Sequence, residues 1–263
     1  MGKNVSLLQK EWEKTEKQER VYIQKRANKS DSRLNQLLAK KVPANLQDTL
    51  DAAFSKAFHL VFEKGTAIIE KTYKKEDMLQ NYRINEFAAQ VKRNKKSLQV
   101  FSKKATGAGG VNLLLSGISG IGLGVLGIGI PDIALFTGLM LKGIYEIALN
   151  YGFDYEEEGE KKFILLLIRG ALSYGDELKK INKELNYYIQ NKSFTEEAHL
   201  NEYIDAAAGS LSKELLYMKF LQGIPIAGAI GGAYDLVYMK QVVTFAKLKY
   251  RRRFYLKYSK MDY

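Results

Sequence analysis

From Ala105 to Pro131 the chain carries no charged side chain, although 27% of its residues are charged overall. Within this run, Val111 to Ile130 has the length of roughly 20 residues that a helix needs to cross a hydrocarbon core. The run is also rich in glycine, and each glycine inside a helix costs about 1 kcal/mol relative to alanine. Close helix–helix approach is the usual compensation. Ser116, Gly120 and Gly124 stand at small-xxx-small spacing, which lets a second backbone pack in van der Waals contact. Any fold for this chain must therefore supply a partner for a smooth, apolar, glycine-lined helix.

The sequence offers two candidates. Pro131 and Asp132 open a second apolar helix that runs to about Tyr151, with proline at the first position and an acid where the helix dipole favours it. Further on, GlyIlePro at 223–225 repeats GlyIlePro at 129–131, and a glycine follows seven residues after each proline, at Gly232 and Gly138. Gly228 and Gly232 form a further GxxxG. Four polar groups interrupt these apolar segments: Asp132, Lys142, Glu146 and Asp235. In a bilayer they would be functional by default. In a water-soluble bundle Asp132 is a helix-start residue, and Lys142 and Glu146 are a pair one turn apart.

Charge is distributed unevenly. Residues 1–104 hold 23 Lys/Arg against 12 Asp/Glu, residues 105–215 hold 9 against 15, and residues 216–263 hold 9 against 2. Basic segments thus flank an apolar and acidic middle, which points to a phosphate-bearing partner. Lys92, Arg93, Lys95, Lys96, Lys103 and Lys104 lie just before the apolar run. Lys247, Lys249, Arg251, Arg252 and Arg253 are mixed with tyrosines near the other end. Basic residues beside apolar and aromatic ones fit anionic membrane lipid. Nucleic acid fits less well, because no aromatic stacking platforms are interleaved with the cluster at 92–104.

Other chemistry is excluded or poorly supported. With no cysteine there is no disulfide, zinc finger or thiol nucleophile. The two histidines, His59 and His199, are far apart and make no metal-ligand set, so no metal and no cofactor is expected. Gly122, Gly124 and Gly127 spell GxGxxG, but no βαβ alternation surrounds them. No apolar h-region occurs between Gly2 and Arg33, and a mean hydropathy of −0.26 argues against a polytopic membrane protein. The expected setting is cytoplasmic, peripheral or inserted at the inner face of the cell membrane.

The rest of the chain reads as helices. Residues 5–42 form a charged helical arm on which Leu7, Leu8 and Trp12 are among the few apolar points. Leu50, Phe54, Phe58, Val61, Phe62 and Ile69 give one face of a helix over 46–73. Ile84, Phe87, Ala88, Val91 and Leu98 give the inward face of another over 82–100. Leu178, Ile181, Leu185 and Tyr188 set the period of a helix over 176–192. Ser193 and Glu196 form a capping-box pattern that predicts a helix from 196 to 208.

Three blocks resemble a known family: VPANLQDTLDAAFSKAF at 42–58, YGFDYEEEGEKKF at 151–163 and IPIAGAIGGA at 224–233. They look like the bacterial EcsC family, and the likeness covers about residues 43–255, with the glycine-rich run before Pro131 in keeping. This resemblance implies no catalytic residues. It implies a bacterial protein at or near a membrane face, and makes subunits of an ABC transporter candidate partners, since the family is named for a gene that accompanies transporter genes.

The expected fold is all-α, a helical bundle around a glycine-rich apolar hairpin at 111–149 joined by the helix at 225–247. A charged arm at 1–42 would precede an EcsC-like domain at 43–263. The expected function is that of a non-enzymatic, membrane-associated accessory protein, docked on anionic lipid by its basic flanks. Two alternatives stay open: a soluble enzyme acting on a lipid-like substrate in an apolar cavity, and a soluble helical scaffold with no lipid role. Oligomeric state is not legible.

Overall fold

The computed structural model describes residues 7–28, 44–108, 131–221 and 233–259. All regular structure among these residues is helical, and the architecture is an all-α bundle. In chain order the helices are α1 (Leu7–Ala27), α2 (Ala44–Leu60), a π-helical turn (Val61–Gly65), α3 (Thr66–Glu70), α4 (Lys75–Lys92) and α5 (Lys95–Ala108). There follow α6 (Pro131–Asn150), α7 (Glu158–Leu172), α8 (Gly175–Asn191), α9 (Leu200–Leu221) and α10 (Ala233–Ser259).

Two helices form the interior. α6 is apolar on every side, and a helix of that kind must be surrounded. It packs against α2, α4, α5 and α10. Ile133, Met140, Leu141, Ile144, Tyr145, Ile147, Ala148 and Leu149 are wholly buried. Among the described residues, α6 holds the one span long and apolar enough to cross a membrane, Ile133–Asn150, and 83% of that span lies inside the fold. Its neighbour α10 touches α1, α5, α6, α7 and α8. On the flanks, α9 packs on α2 and α7, while α1 closes over α10 and α8.

The glycine-rich run at 109–130 and residues 222–232 lie outside the described residues. Ser116, Gly120, Gly124, Gly228 and Gly232 lie there too. Gly138 is buried on α6. The described close approach uses a different glycine. A Cβ on Gly170 would stand 2.8 Å from Cγ2 of Ile181 and 3.0 Å from Cε1 of Phe245, so the missing side chain lets α7 nest between α8 and α10.

Three expectations are corrected locally. The helix expected over 46–73 widens at Val61–Gly65, where Thr66 Oγ1 and its N–H both reach the Val61 carbonyl. The helix expected over 82–100 is two helices. Arg93 adopts φ 42°, ψ 36° and ends α4, and Asn94 Oδ1 accepts the Ser97 N–H at 2.9 Å to cap α5. The capping-box pattern of Ser193 and Glu196 does not start a helix. Glu184 of α8 instead binds the Thr195 hydroxyl and N–H, and α9 begins at Leu200 after Glu202 accepts the His199 N–H at 2.8 Å.

Gly152 makes a turn that a side chain would resist. Its φ is +76°, and a Cβ would fall 2.3 Å from the ring of Tyr82. Gly152→Ala is therefore expected to destabilise the protein by about 1–3 kcal/mol through left-handed strain and overpacking, measured as a lower urea midpoint at unchanged slope.

Candidate functional site

Three cations of α10, Lys249, Arg252 and Arg253, are turned inward. Lys249 is completely buried, and its Nζ donates to Glu19 Oε1 at 2.8 Å and to the side-chain carbonyls of Asn182 and Asn186. Arg252 reaches Glu19 Oε2 at 3.2 Å and Glu16 at 3.5 Å, and lies 4.9 Å over the ring of Trp12. Arg251 donates to Gln18. Arg253 meets Glu160 at 2.5 Å with its guanidinium 4.1 Å from the Phe153 ring centre, and Tyr250 donates to the other oxygen of Glu160 at 2.6 Å. Lys247 is half-buried and donates to the Thr106 carbonyl at 3.2 Å.

These environments move the titrations. Burial pushes the Lys249 amine down to about 8 from its ordinary 10.5, against the pull of Glu19. Burial alone would raise the Glu19 carboxyl, but Lys249 and Arg252 outweigh it and hold that group below 4.5. Burial also lowers the Lys247 amine. The Glu160 carboxyl is raised by burial, with Arg253 opposing. At neutral pH Lys249, Glu19 and Arg252 therefore form a buried charged network, an arrangement that costs several kcal/mol when one partner is lost.

The polar groups on the apolar helices are local. Lys142 Nζ stands 3.8 Å from Glu146, both largely shielded, and burial raises the Glu146 carboxyl against the lysine's pull. Asp132 and Asp235 fall in the first turns of α6 and α10, and their side chains lie outside the described residues.

A polar knot that the sequence reading missed lies beside α6. Tyr155 donates to Glu70 at 2.5 Å, the Tyr73 and Tyr155 hydroxyls are 2.7 Å apart, and Tyr145 stacks on Tyr155 at 3.9 Å. Lys75 joins it, bonding Glu156 and standing 3.3 Å from Asp154. The acidic patch at 154–160 is thus largely consumed by internal partners. An open groove of about 310 Å³ between α7, α8 and α9 is lined by Arg169, Glu177, Glu184 and Glu202, which are already engaged.

The remaining basic set behaves differently. Lys92, Arg93, Lys95, Lys96, Lys103 and Lys104 are all exposed, and none of the six pairs with a carboxylate among the described residues. They lie around the α4–α5 corner and along α5. Beside them Ile84, Phe87 and Val91 are 59%, 68% and 64% exposed. This corrects the expectation that these three face inward. α4 buries its other side, Tyr82 and Ala89, because Tyr82 donates to Glu86 at 2.6 Å and Lys257 of α10 holds Glu86 at 3.2 Å. Leu98 is buried, but on α5.

The corner also runs against local stability. Arg93 occupies the left-handed region that costs a non-glycine residue about 1–2 kcal/mol. Lys95 and Lys96 sit in the first turn of α5, where the dipole disfavours cations. Residues placed at such cost are the kind found at functional sites.

A profile of the EcsC protein family matches residues 8–255, nearly the whole chain. The chain belongs to the EcsC family. The match begins within α1, so the arm that covers α10 is part of the family's pattern. The chain is also 26% identical over 152 residues to the uncharacterized protein YdbA of Bacillus subtilis, a match covering 57% of this chain and 50% of that relative. The aligned region thus spans about half the length of that curated relative. No solved structure matches. The block at 151–163 now has a physical role, because Gly152, Phe153, Tyr155 and Glu160 tie α4, α3 and α10 together.

Glu19→Gln leaves Lys249 and Arg252 buried without their carboxylate and is expected to cost about 3–5 kcal/mol. Lys249→Met should cost less. Between about pH 8 and 10.5 the unfolded chain holds a proton that folded Lys249 has lost, so wild-type stability gains a contribution as pH rises. Tyrosine ionisation is common to both proteins, so the difference between wild type and Lys249→Met in urea at pH 8 and pH 10 isolates it.

Proposed function

We propose that this EcsC protein is a non-enzymatic accessory protein that docks peripherally on an anionic membrane face. The observation that carries the reading is the split between its two basic sets. Lys249, Arg252, Arg253 and Lys257 of α10 are paired with carboxylates of the fold, whereas the six around and along the α4–α5 corner are exposed and none pairs with a carboxylate among the described residues. A compact cluster of that size attracts anionic headgroups at about 1 kcal/mol per basic residue close to the surface. Burial of α6 favours a protein that lies on the membrane over one that inserts a hairpin.

The inner face of the cell membrane is the natural site for such a surface, because that leaflet carries anionic lipid. The family resemblance adds subunits of an ABC transporter as the protein partner of a chain held there.

Replacing Lys92, Lys95 and Lys96 together by glutamate should weaken co-sedimentation with phosphatidylglycerol-containing vesicles by about a hundredfold at low salt. High salt should release the wild-type protein. Undiminished binding by the reversed variant would sink the reading. Reversal at Arg252 and Arg253 tests something else: it opposes Glu19 and Glu160 inside the fold, and loss of cooperative unfolding is expected.

A further inference from the structure

Exposed lysines alone would hold the protein above the headgroups, but the corner also offers apolar side chains. At 3.6 residues per turn, Ile84, Phe87 and Val91 fall within about 60° of arc and span about 10 Å of helix. Arg83 and Lys92 flank that arc on either side. Charge also changes along the helix. Glu76 and Asp77 occupy the first turn of α4, with Asp77 3.8 Å from Lys74, while the basic residues cluster at the opposite end.

We infer that the C-terminal half of α4 enters the bilayer interface, with Phe87 and Val91 deepest, Ile84 shallower and the acidic first turn held in water. This rests on the anionic-lipid reading above and adds to it a mode of binding and an orientation. The occupant is an anionic bilayer because charge complementarity selects it. Pairing with α4 of a second copy would offer Glu76 and Asp77 to Lys92 and Arg93, but would leave the four lysines of α5 unanswered. An interfacial helix needs an apolar stripe bordered by cations, and this is its residue pattern. Phe87, the most exposed of the three, loses the most contact with water on entry.

The absence of cysteine makes the test direct. Single cysteines are placed in the full chain at Gln80, Ile84, Phe87 and Val91, and at Gln190 on α8 as a control, then labelled with an environment-sensitive fluorophore. Vesicles contain one part phosphatidylglycerol to two of phosphatidylcholine. Emission at 84, 87 and 91 is expected to rise severalfold and shift to the blue. Quenching by doxyl-labelled lipid should be strongest at 87 and 91 and weak at 80, with 190 unchanged. Phe87→Ser, at an exposed position, should keep the fold and weaken vesicle binding by about tenfold.

If the protein co-sediments while labels at 84, 87 and 91 stay as they are in buffer, the inference is overturned and docking is by charge alone. If it does not co-sediment, the anionic-lipid reading fails and the inference fails with it. If the labels respond to protein concentration without vesicles, a second copy covers the stripe and the bilayer is not its occupant.

Discussion

The bundle depends on how it answers the charges of its last described helix. α10 is enclosed by five other helices, yet it brings Lys249, Arg252 and Arg253 into that enclosure. A buried cation without an anion is among the most destabilising things a fold can contain. Glu19 on α1 and Glu160 on α7 supply the anions, and Asn182 and Asn186 on α8 complete the shell around Lys249. The positions of α1, α7 and α8 around α10 follow from that requirement as much as from apolar contact. α1 shows it best: the residues it buries are Glu11, Thr15 and Glu19, a polar stripe at four-residue spacing.

The helical class was legible because α6, α7 and α8 advertise themselves through apolar content or period. Buried Phe163 through Ile168 and the stripe of Leu178, Ile181 and Leu185 need no tertiary knowledge. The role of α10 was not legible. A run such as Lys247 to Arg253 reads as a surface to be solvated or docked when its anions stand 93 and 233 positions away. The one available hint was the spacing of Glu11, Thr15 and Glu19, which looks like ordinary polarity on a charged arm. On α4 the period was legible but the direction was not. Ile84, Phe87 and Val91 do share a face, and only the anchoring of Tyr82 and Glu86 by Lys257 decides that it looks outward. The small-residue spacing at Ser116, Gly120 and Gly124 lies outside the described residues, whereas Gly170, a solitary glycine without a motif, makes a close helix contact.

The two basic sets illustrate a general difficulty in reading charge. Composition counts cations but not which of them already have partners. Here the set with the stronger aromatic flavour includes Arg253, which is packed among Phe153, Phe163 and Tyr188 and paired with Glu160. The set at the α4–α5 corner, with Arg93 in a strained conformation and Lys95 and Lys96 at an unfavourable helix end, is the one left available.

The bond between Glu19 and Lys249 joins residues 230 positions apart. Ribosomes add about 5–20 residues per second, so the carboxylate waits about ten to fifty seconds for its amine. In that interval α1 is a charged helix with little apolar surface to hold it anywhere. Of the described elements, α10 is made last, and it carries the cations that both Glu19 and Glu160 require. Closure of the bundle is therefore a late event that unites an early segment with a late one. A chain stopped short of α10 lacks the cations that Glu19 and Glu160 meet in the finished bundle.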